Sequence, residues 1–370
     1  MSITFSKKDL LKGVEIVETV VSTHATLPIL SNFLFETDNK RIKLSATDLE
    51  IGVICYIDAK TVSPGNIAIP AKKFGSIIRE LTEKNDIELK IEEKSGHIDI
   101  NSGRSKFSLI GAAKEDFPAL PEFNESKAID FSANTFKEMV KKVSHAVSTD
   151  ETRYQLTGLY IIIEAGKLKI VATDGRRLSC ITRNCDNNEI SAKAIVSIKA
   201  ISELLRIINI NEGEEKLKIS ITENQIGFKI KDVVMVSRLI EGQYPNYEQV
   251  IPKKNPVKAK INTDQLLSAT KQMALLTEEK SGSVIFHFAK NKLRMNVTTQ
   301  GIGSGEVDMD VEYSHANLEV SFNPEYLIDI LRNANEPEIT LEMNGPIDAV
   351  LIKPVKDESY INVVMPMRVA

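Results

Sequence analysis

The chain repeats itself three times, and that self-similarity constrains its architecture more than any single residue does. Ser6 precedes apolar Leu10, Val14 and Val17; Ser132 precedes Phe136, Val140 and Val143; Asn262 precedes Leu266 and Met273. These starts lie 126 and then 130 residues apart. Ala46-Thr47-Asp48 and Ala172-Thr173-Asp174 are also 126 residues apart, and the weaker Val297-Thr298-Thr299 follows 125 further on. A second helix in each copy aligns Phe74, Ile77, Ile78 and Leu81 with Ile201, Leu204, Leu205 and Ile208, then with Leu327, Ile330 and Leu331. Ser197 and Asn323 stand ahead of these helices as caps, with Pro70 in the same place in the first copy.

Between the helices the text alternates as strands do. Phe33 to Glu36 with Ile42 to Ala46, Leu159 to Ile163 with Leu168 to Ala172, and Val284 to Phe288 with Leu293 to Val297 read as hairpins. Turns such as Thr37-Asp38-Asn39-Lys40 and Glu164-Ala165-Gly166-Lys167 join them. Ile87 to Ile91 with Ile98 to Asn101, and Leu217 to Ile221 with Ile226 to Ile230, repeat the theme. Two helices per copy among many strands predict an α+β fold of three repeated domains, each with two helices and antiparallel sheets. Pro118-Ala119-Leu120-Pro121 and Pro252-Lys253-Lys254-Asn255-Pro256 interrupt the pattern, giving domains 1–125, 126–254 and 255–370. Such short linkers predict closely held neighbours, with sheets that run on across the boundary.

A chain of 370 residues is too long for one core but suits three domains of roughly 120. It has no Trp, no long apolar run and no basic-then-apolar leader, which predicts a soluble cytoplasmic protein without a membrane partner. Cys55, Cys180 and Cys185 lack paired spacing and read as reduced structural thiols. The net charge is −4, yet the helical windows 7–20, 71–81, 134–147, 198–209, 263–276 and 324–334 hold 13 Lys or Arg against 9 Asp or Glu. Their surplus of four leaves −8 elsewhere. Lys72, Lys73, Arg79, Lys137, Lys141, Lys142, Lys199 and Arg206 fall off the apolar stripes and should face solvent or a polyanion. A modest surplus suits loose contact with phosphates, because neutralising many of them would bind a duplex tightly.

Catalytic groups are scarce. His24, His97, His145, His287 and His315 are scattered without metal-ligand spacing or a neighbouring nucleophile, so no metal and no cofactor is expected. Gly301-Ile302-Gly303-Ser304-Gly305 lacks the Lys-Ser/Thr of a phosphate loop and reads as a turn. Asp48 and Asp174 follow apolar strands, where a carboxylate serves the turn by accepting from backbone N–H groups. Four segments resist so plain a reading: Arg153-Tyr154-Gln155-Leu156-Thr157-Gly158, Ala172-Thr173-Asp174-Gly175-Arg176-Arg177-Leu178, Glu241-Gly242-Gln243-Tyr244-Pro245-Asn246-Tyr247, and the terminal Met365-Pro366-Met367-Arg368. Thioethers flanking a rigid Pro make an adaptable apolar lining suited to varied peptides.

These four segments in this order, with Leu27-Pro28-Ile29-Leu30-Ser31-Asn32 and Ala46-Thr47-Asp48-Leu49-Glu50 in the first copy, resemble over the whole length the DNA polymerase III beta subunits of bacteria, the sliding clamps. The resemblance implies a non-catalytic processivity factor, a head-to-tail dimeric ring with helices lining the hole and sheets outside. Its implied partners are double-stranded DNA, a second copy, the polymerase III catalytic subunit, the clamp loader, and other polymerases and repair proteins that carry a clamp-binding motif. It carries DNA contacts to Arg153, Tyr154 and the helical cations, with His24 at a loop position often basic in relatives. It carries a peptide pocket to Leu156, Thr173, Gly175, Arg177, Leu178, Pro245, Tyr247, Val250, Ile347, Val363, Met365, Pro366, Met367 and Arg368. Val369-Ala370 replaces the single Leu with which relatives commonly stop. The dimer contact falls to Phe107 and Leu109 against Leu275 and Leu276, with Arg104 and Lys106 facing acids. Gln300 to Glu306 is poor in acid for that role, which predicts weaker electrostatic closure. Two rivals remain: an enzyme using Asp48, Asp174 and Glu241 as an acid/base set, and a repeat scaffold that binds proteins but not DNA.

Overall fold

The computed structural model describes residues 1–21, 27–38, 41–61, 64–187, 189–211, 213, 216–278 and 282–368. His24, the turn residues Asn39 and Lys40, and the terminal Val369-Ala370 lie outside the described residues.

Among the described residues six α-helices form where the apolar spacing demands them: α1 (Lys7–Glu18), α2 (Ala71–Glu80), α3 (Ala133–Val143), α4 (Ile198–Ile210), α5 (Thr263–Ala274) and α6 (Pro324–Ala334). The caps act as expected. Ser6 accepts from Asp9 N–H, Asn262 from Gln265 N–H and Asn323 from Glu325 N–H, each satisfying a donor that the first helical turn leaves open. Ser132 Oγ accepts from Thr135 N–H at 3.2 Å. Pro70 caps without a side-chain bond, its fixed φ alone leading into α2. The window 134–147 overshoots, because α3 ends at Val143 and a 3-10 turn, Ser144–Ala146, follows.

The chain divides into two compact units, residues 1–135 with 199–239 and residues 136–198 with 240–370. In the first, an eight-stranded antiparallel sheet runs Ala128–Ser132, Lys216–Ile221, Gln225–Ile230, Val233–Arg238, Ile51–Asp58, Arg41–Thr47, Asn32–Asp38, Asn66–Pro70. Strands of the second repeat therefore pair with strands of the first, Val236 opposite Gly52. A five-stranded sheet in the same unit ends on Ser105–Ile110. In the second unit an eight-stranded sheet runs Ala192–Ser197, Gly158–Glu164, Lys167–Thr173, Arg177–Asn184, Tyr360–Val364, Val350–Pro354, Glu338–Met343, Val257–Asn262, and a four-stranded sheet ends on Gly303–Asp310. Both eight-stranded sheets thus cross a repeat boundary, as the short linkers predicted.

Within each unit the helices bury their apolar stripes. Leu10, Val14 and Val17 of α1 and Phe74 and Ile78 of α2 are buried with Phe33, Leu44 and Ile57. The third repeat encloses Leu266 and Met273 of α5 and Leu327, Ile330 and Leu331 of α6 around Phe286, Phe288 and Phe322. Full burial of each such side chain contributes about 1.5–3 kcal/mol. Cys55, Cys180 and Cys185 are free and buried, and burial pushes the thiols of Cys55 and Cys180 up to about 12, which leaves them inert.

Candidate functional site

The Ala172-Thr173-Asp174-Gly175 segment forms a turn whose polar side chains serve the backbone. Thr173 Oγ1 donates to Arg177 O at 2.6 Å and accepts from Gly175 N–H at 3.1 Å, while Asp174 Oδ1 accepts from the N–H groups of Arg176 and Arg177 at 2.8 and 2.9 Å. The first repeat builds the same turn: Thr47 Oγ1 donates to Ile51 O, and Asp48 Oδ1 accepts from Glu50 and Ile51 N–H. Asp48 and Asp174, two of the three carboxylates named for the acid/base reading, are thus engaged in turns, which removes its main support. Gly175 has a φ of +86°, a left-handed conformation that favours glycine in this turn; a Cβ there would lie 2.7 Å from Arg153 Nη1, the end of a flexible side chain.

The turn forms one wall of an apolar floor. Leu156, Leu178, Tyr247 and Val363 pack in one buried cluster with Tyr244, Leu351 and Cys180, and Leu178 lies opposite Val363 across the junction of two strands. Thr173 is also buried beside them. Of the other residues assigned to the pocket, Val250, Ile347 and Met365 are exposed large hydrophobics, Pro245, Gly175 and Arg368 are exposed, and Pro366 and Met367 are half-buried. Met365 N–H donates to Arg176 O at 3.0 Å and Met367 N–H to Ser321 O at 2.7 Å, so the terminal segment is tied down. A buried apolar floor beneath an exposed apolar rim is what an anchor-type peptide site requires.

Arg177 behaves differently from its expected neighbours. Its Nε donates to Asp174 at 3.1 Å, Nη1 to Asp329 of α6 at 2.7 Å and Nη2 to His145 O at 2.6 Å, and the guanidinium lies 4.6 Å from the centre of the Tyr326 ring. It braces the turn rather than offering free donors to the rim. Beneath it His145 Nε2 meets Ser179 Oγ at 3.0 Å, and Ser179 donates to Asn362 at 2.6 Å. Burial, with the Arg177 charge, holds His145 down at about 4, so the ring is neutral. Asp329, Tyr326, Ser179 and Asn362 were not singled out by the sequence, because nothing local marks a bond that spans 152 positions.

Of the cations assigned to nucleic acid, Lys72, Lys73, Lys137 and Lys141 are exposed on their helices. Lys72, Arg79 and Arg206 line one groove of about 490 Å³ together with Glu15 and Glu18, bringing α1, α2 and α4 into a single mixed-charge surface. Arg79 pairs with Glu18, Arg206 with Glu203 at 3.5 Å, and Lys199 with Asp48. Arg153 pairs with Asp150 at 3.1 Å, and Tyr154 is exposed. Lys142 corrects the expectation that it faces solvent. It is only 5% exposed, with Nζ 2.8 Å from Glu138, 3.4 Å from Asp357 and 5.2 Å from the centre of the Tyr360 ring. The reason is geometric: Lys142 follows fully buried Met139 by three residues, so it shares the flank that α3 turns inward.

The two end strands carry the expected interface residues. On Ser105–Ile110, Phe107 is 41% and Ile110 63% exposed, Leu109 is half-buried, and Arg104 and Lys106 are exposed. Leu275 is 82% exposed just after α5, whereas Leu276 is half-buried against the third core. The acid-poor reading of this edge is corrected: the strand is Gly303–Asp310, and Glu306, Asp308 and Asp310 alternate along its exposed face. Arg294 holds Asp308 through two bonds of 2.9 and 3.1 Å, and Asn296 donates to Glu306 at 2.8 Å.

Three like units of two helices on antiparallel sheets, with unpaired end strands in the first and third, define a DNA clamp. Comparison with known proteins identifies the group. The DNA polymerase III beta subunit models for the N-terminal, central and C-terminal domains match residues 1–121, 130–246 and 248–368. The chain is 33% identical to the beta sliding clamp of Chlamydia pneumoniae over 370 residues, 100% of this chain and 99% of that protein. The Escherichia coli K12 beta sliding clamp is 29% identical over 369 residues, all of both chains. The crystal structure of the DNA polymerase III subunit beta from Pseudomonas aeruginosa matches with a TM-score of 0.94 at 27% identity, covering 100% of each chain. The chain belongs to the DNA polymerase III beta subunit family of sliding clamps.

Proposed function

We propose that two copies close head to tail into a ring around duplex DNA, and that the apolar cleft tethers the replicative polymerase, the clamp loader and other motif-bearing proteins to it. The protein acts in the cytoplasm without catalysis, through domains 1–125, 126–254 and 255–370. The observation that carries the ring is the pair of open, complementary edges, basic and apolar on Ser105–Ile110 and acidic on Gly303–Asp310. An exposed edge strand of this kind is paired in the working assembly, and a second copy supplies that pairing twice over. The helical cations then meet phosphates weakly and without regard to sequence, so topology, not affinity, does the holding.

The test is retention. Loaded onto nicked circular DNA, the protein is expected to stay bound through gel filtration and to be lost once the circle is cut, while direct binding to linear duplex is weak and falls with salt. Equal loss from cut and uncut circles would refute encirclement. For the cleft, Met365→Ala with Met367→Ala should weaken binding of a clamp-motif peptide tenfold or more, since truncating a buried anchor costs about 1–4 kcal/mol. Dimer mass by light scattering should not change. Titration that finds affinity within twofold of the parent would show the cleft is misassigned.

A further inference from the structure

Beside the cleft, on the same face of the same sheet, lies a second pocket of about 320 Å³ that the anchors do not use. Strand register puts it one step along. Thr173 pairs with Leu178 and Leu178 with Val363 at the cleft floor; the next outward-facing row is Val171, Cys180 and Ile361, and the row after that holds Lys169 and Thr182. Residues two apart on a strand share a face about 6.7 Å apart. Cys180, Thr182 and Ile361 floor the pocket, and Tyr247 and Ile251 wall it.

Tyr247 is also a cleft residue, so its ring is a partition common to both sites. That partition is fixed. Lys169 Nζ donates to Tyr247 Oη at 3.1 Å and stands 5.7 Å from the ring centre, and Tyr247 Oη donates to Glu248 at 3.2 Å. The lining carries two cations and two carboxylates, Lys169 with Glu248 at 3.7 Å and the exposed Lys253 and Glu358, so the pocket has no net sign with which to prefer a charged side chain. Its floor selects apolar ones.

We infer that this pocket is a flanking subsite for client peptides: it receives an apolar side chain carried just outside the clamp-binding motif. The inference rests on the peptide-cleft reading above. Continuity decides the occupant, because an extended chain advances about 3.3 Å per residue and two residues beyond the last anchor span the step from Leu178 to Cys180. Clients sharing one motif would then be ranked by what flanks it, an affinity difference that the cleft alone cannot supply.

Three synthetic peptides test this on the full-length protein: the bare motif of the polymerase III catalytic subunit, and the same motif with a leucine two residues beyond its N-terminal or its C-terminal end. One extended peptide is expected to bind at least fivefold tighter than the bare motif. Ile361→Arg, which fills the pocket, should abolish that gain and leave the bare motif within twofold of its parent affinity. Thr182→Arg provides the same block from the neighbouring strand if Ile361→Arg folds poorly by circular dichroism. The inference is overturned if neither extension gains twofold, or if the gain survives in a folded pocket-filled variant. Failure of the cleft reading would look different: Met365→Ala with Met367→Ala would leave the bare motif bound as before.

Discussion

Phe107→Asp should convert the protein to monomers at micromolar concentration. Phe107 stands exposed on an end strand whose neighbours on the chain, Arg104 and Lys106, are cationic and also exposed. In the proposed ring its face packs on Leu275 of the partner, and an aspartate there exchanges apolar burial for a desolvated carboxylate. Each contact then loses about 3 kcal/mol or more. A two-chain ring has two such contacts, and both must form for closure. The losses add to roughly 6 kcal/mol, about four orders of magnitude in the dissociation constant. Leu275→Asp is the better partner variant than Leu276→Asp, because Leu276 also packs on the third core and its carbonyl accepts from Thr299, so its loss confounds assembly with folding. Sedimentation velocity reads the outcome. A dimer mass retained in both Phe107→Asp and Leu275→Asp would place the interface elsewhere.

The fold was legible because its signals are local and occur three times. Ser6, Asn262 and Asn323 cap helices within three residues of themselves, and the turns at Asp48 and Asp174 are closed by bonds of two or three positions. Repetition then exposed what a single copy would have left ambiguous. Side-chain destinations were less legible. A stripe drawn through Phe136, Val140 and Val143 leaves Lys142 facing solvent, yet the helix is also buried along Met139, and besides Glu138 the partners of Lys142, Asp357 and Tyr360, lie over 200 positions away. The resemblance assigns Arg177 to the cleft, but its tether to Asp329 depends on α6 meeting the turn, which only the folded chain decides. The acidic face of Gly303–Asp310 is not legible from Gln300 to Glu306 alone, because the strand runs on past that window and two of its three acids, Asp308 and Asp310, lie beyond it.

The cluster around Lys142 should make the protein acid-sensitive in a window that one residue sets. Asp357 accepts from Arg183 Nη2 at 2.7 Å and from Ser359 Oγ at 2.5 Å, with Lys142 Nζ at 3.4 Å. Burial works to raise the carboxyl, but the bonds from Arg183 and Ser359 and the two cations prevail and hold it at about 2. A depressed carboxyl stabilises the fold above its unfolded value, near 3.9, and the contribution vanishes as pH falls through 2. The difference corresponds to about 2–3 kcal/mol, lost progressively between about pH 5 and pH 1. Asp357→Ala should therefore lower stability at pH 7 by about 2–4 kcal/mol, because it also leaves nearly buried Lys142 with Glu138 as its remaining carboxylate. Urea denaturation at a series of pH values separates the two effects: the variant's curve should lie below the parent's at pH 7 and converge on it by about 2–3 kcal/mol as the acid limit is approached. Parallel curves would mean that Asp357 titrates alike folded and unfolded. The turn holding Asp357 leads directly into Tyr360–Val364, whose Tyr360 donates to Lys142 O at 2.8 Å and whose next residues are Met365 to Arg368. Loosening that turn frees the strand that carries the cleft's rim, so peptide affinity should fall along with stability in Asp357→Ala while dimer mass is retained.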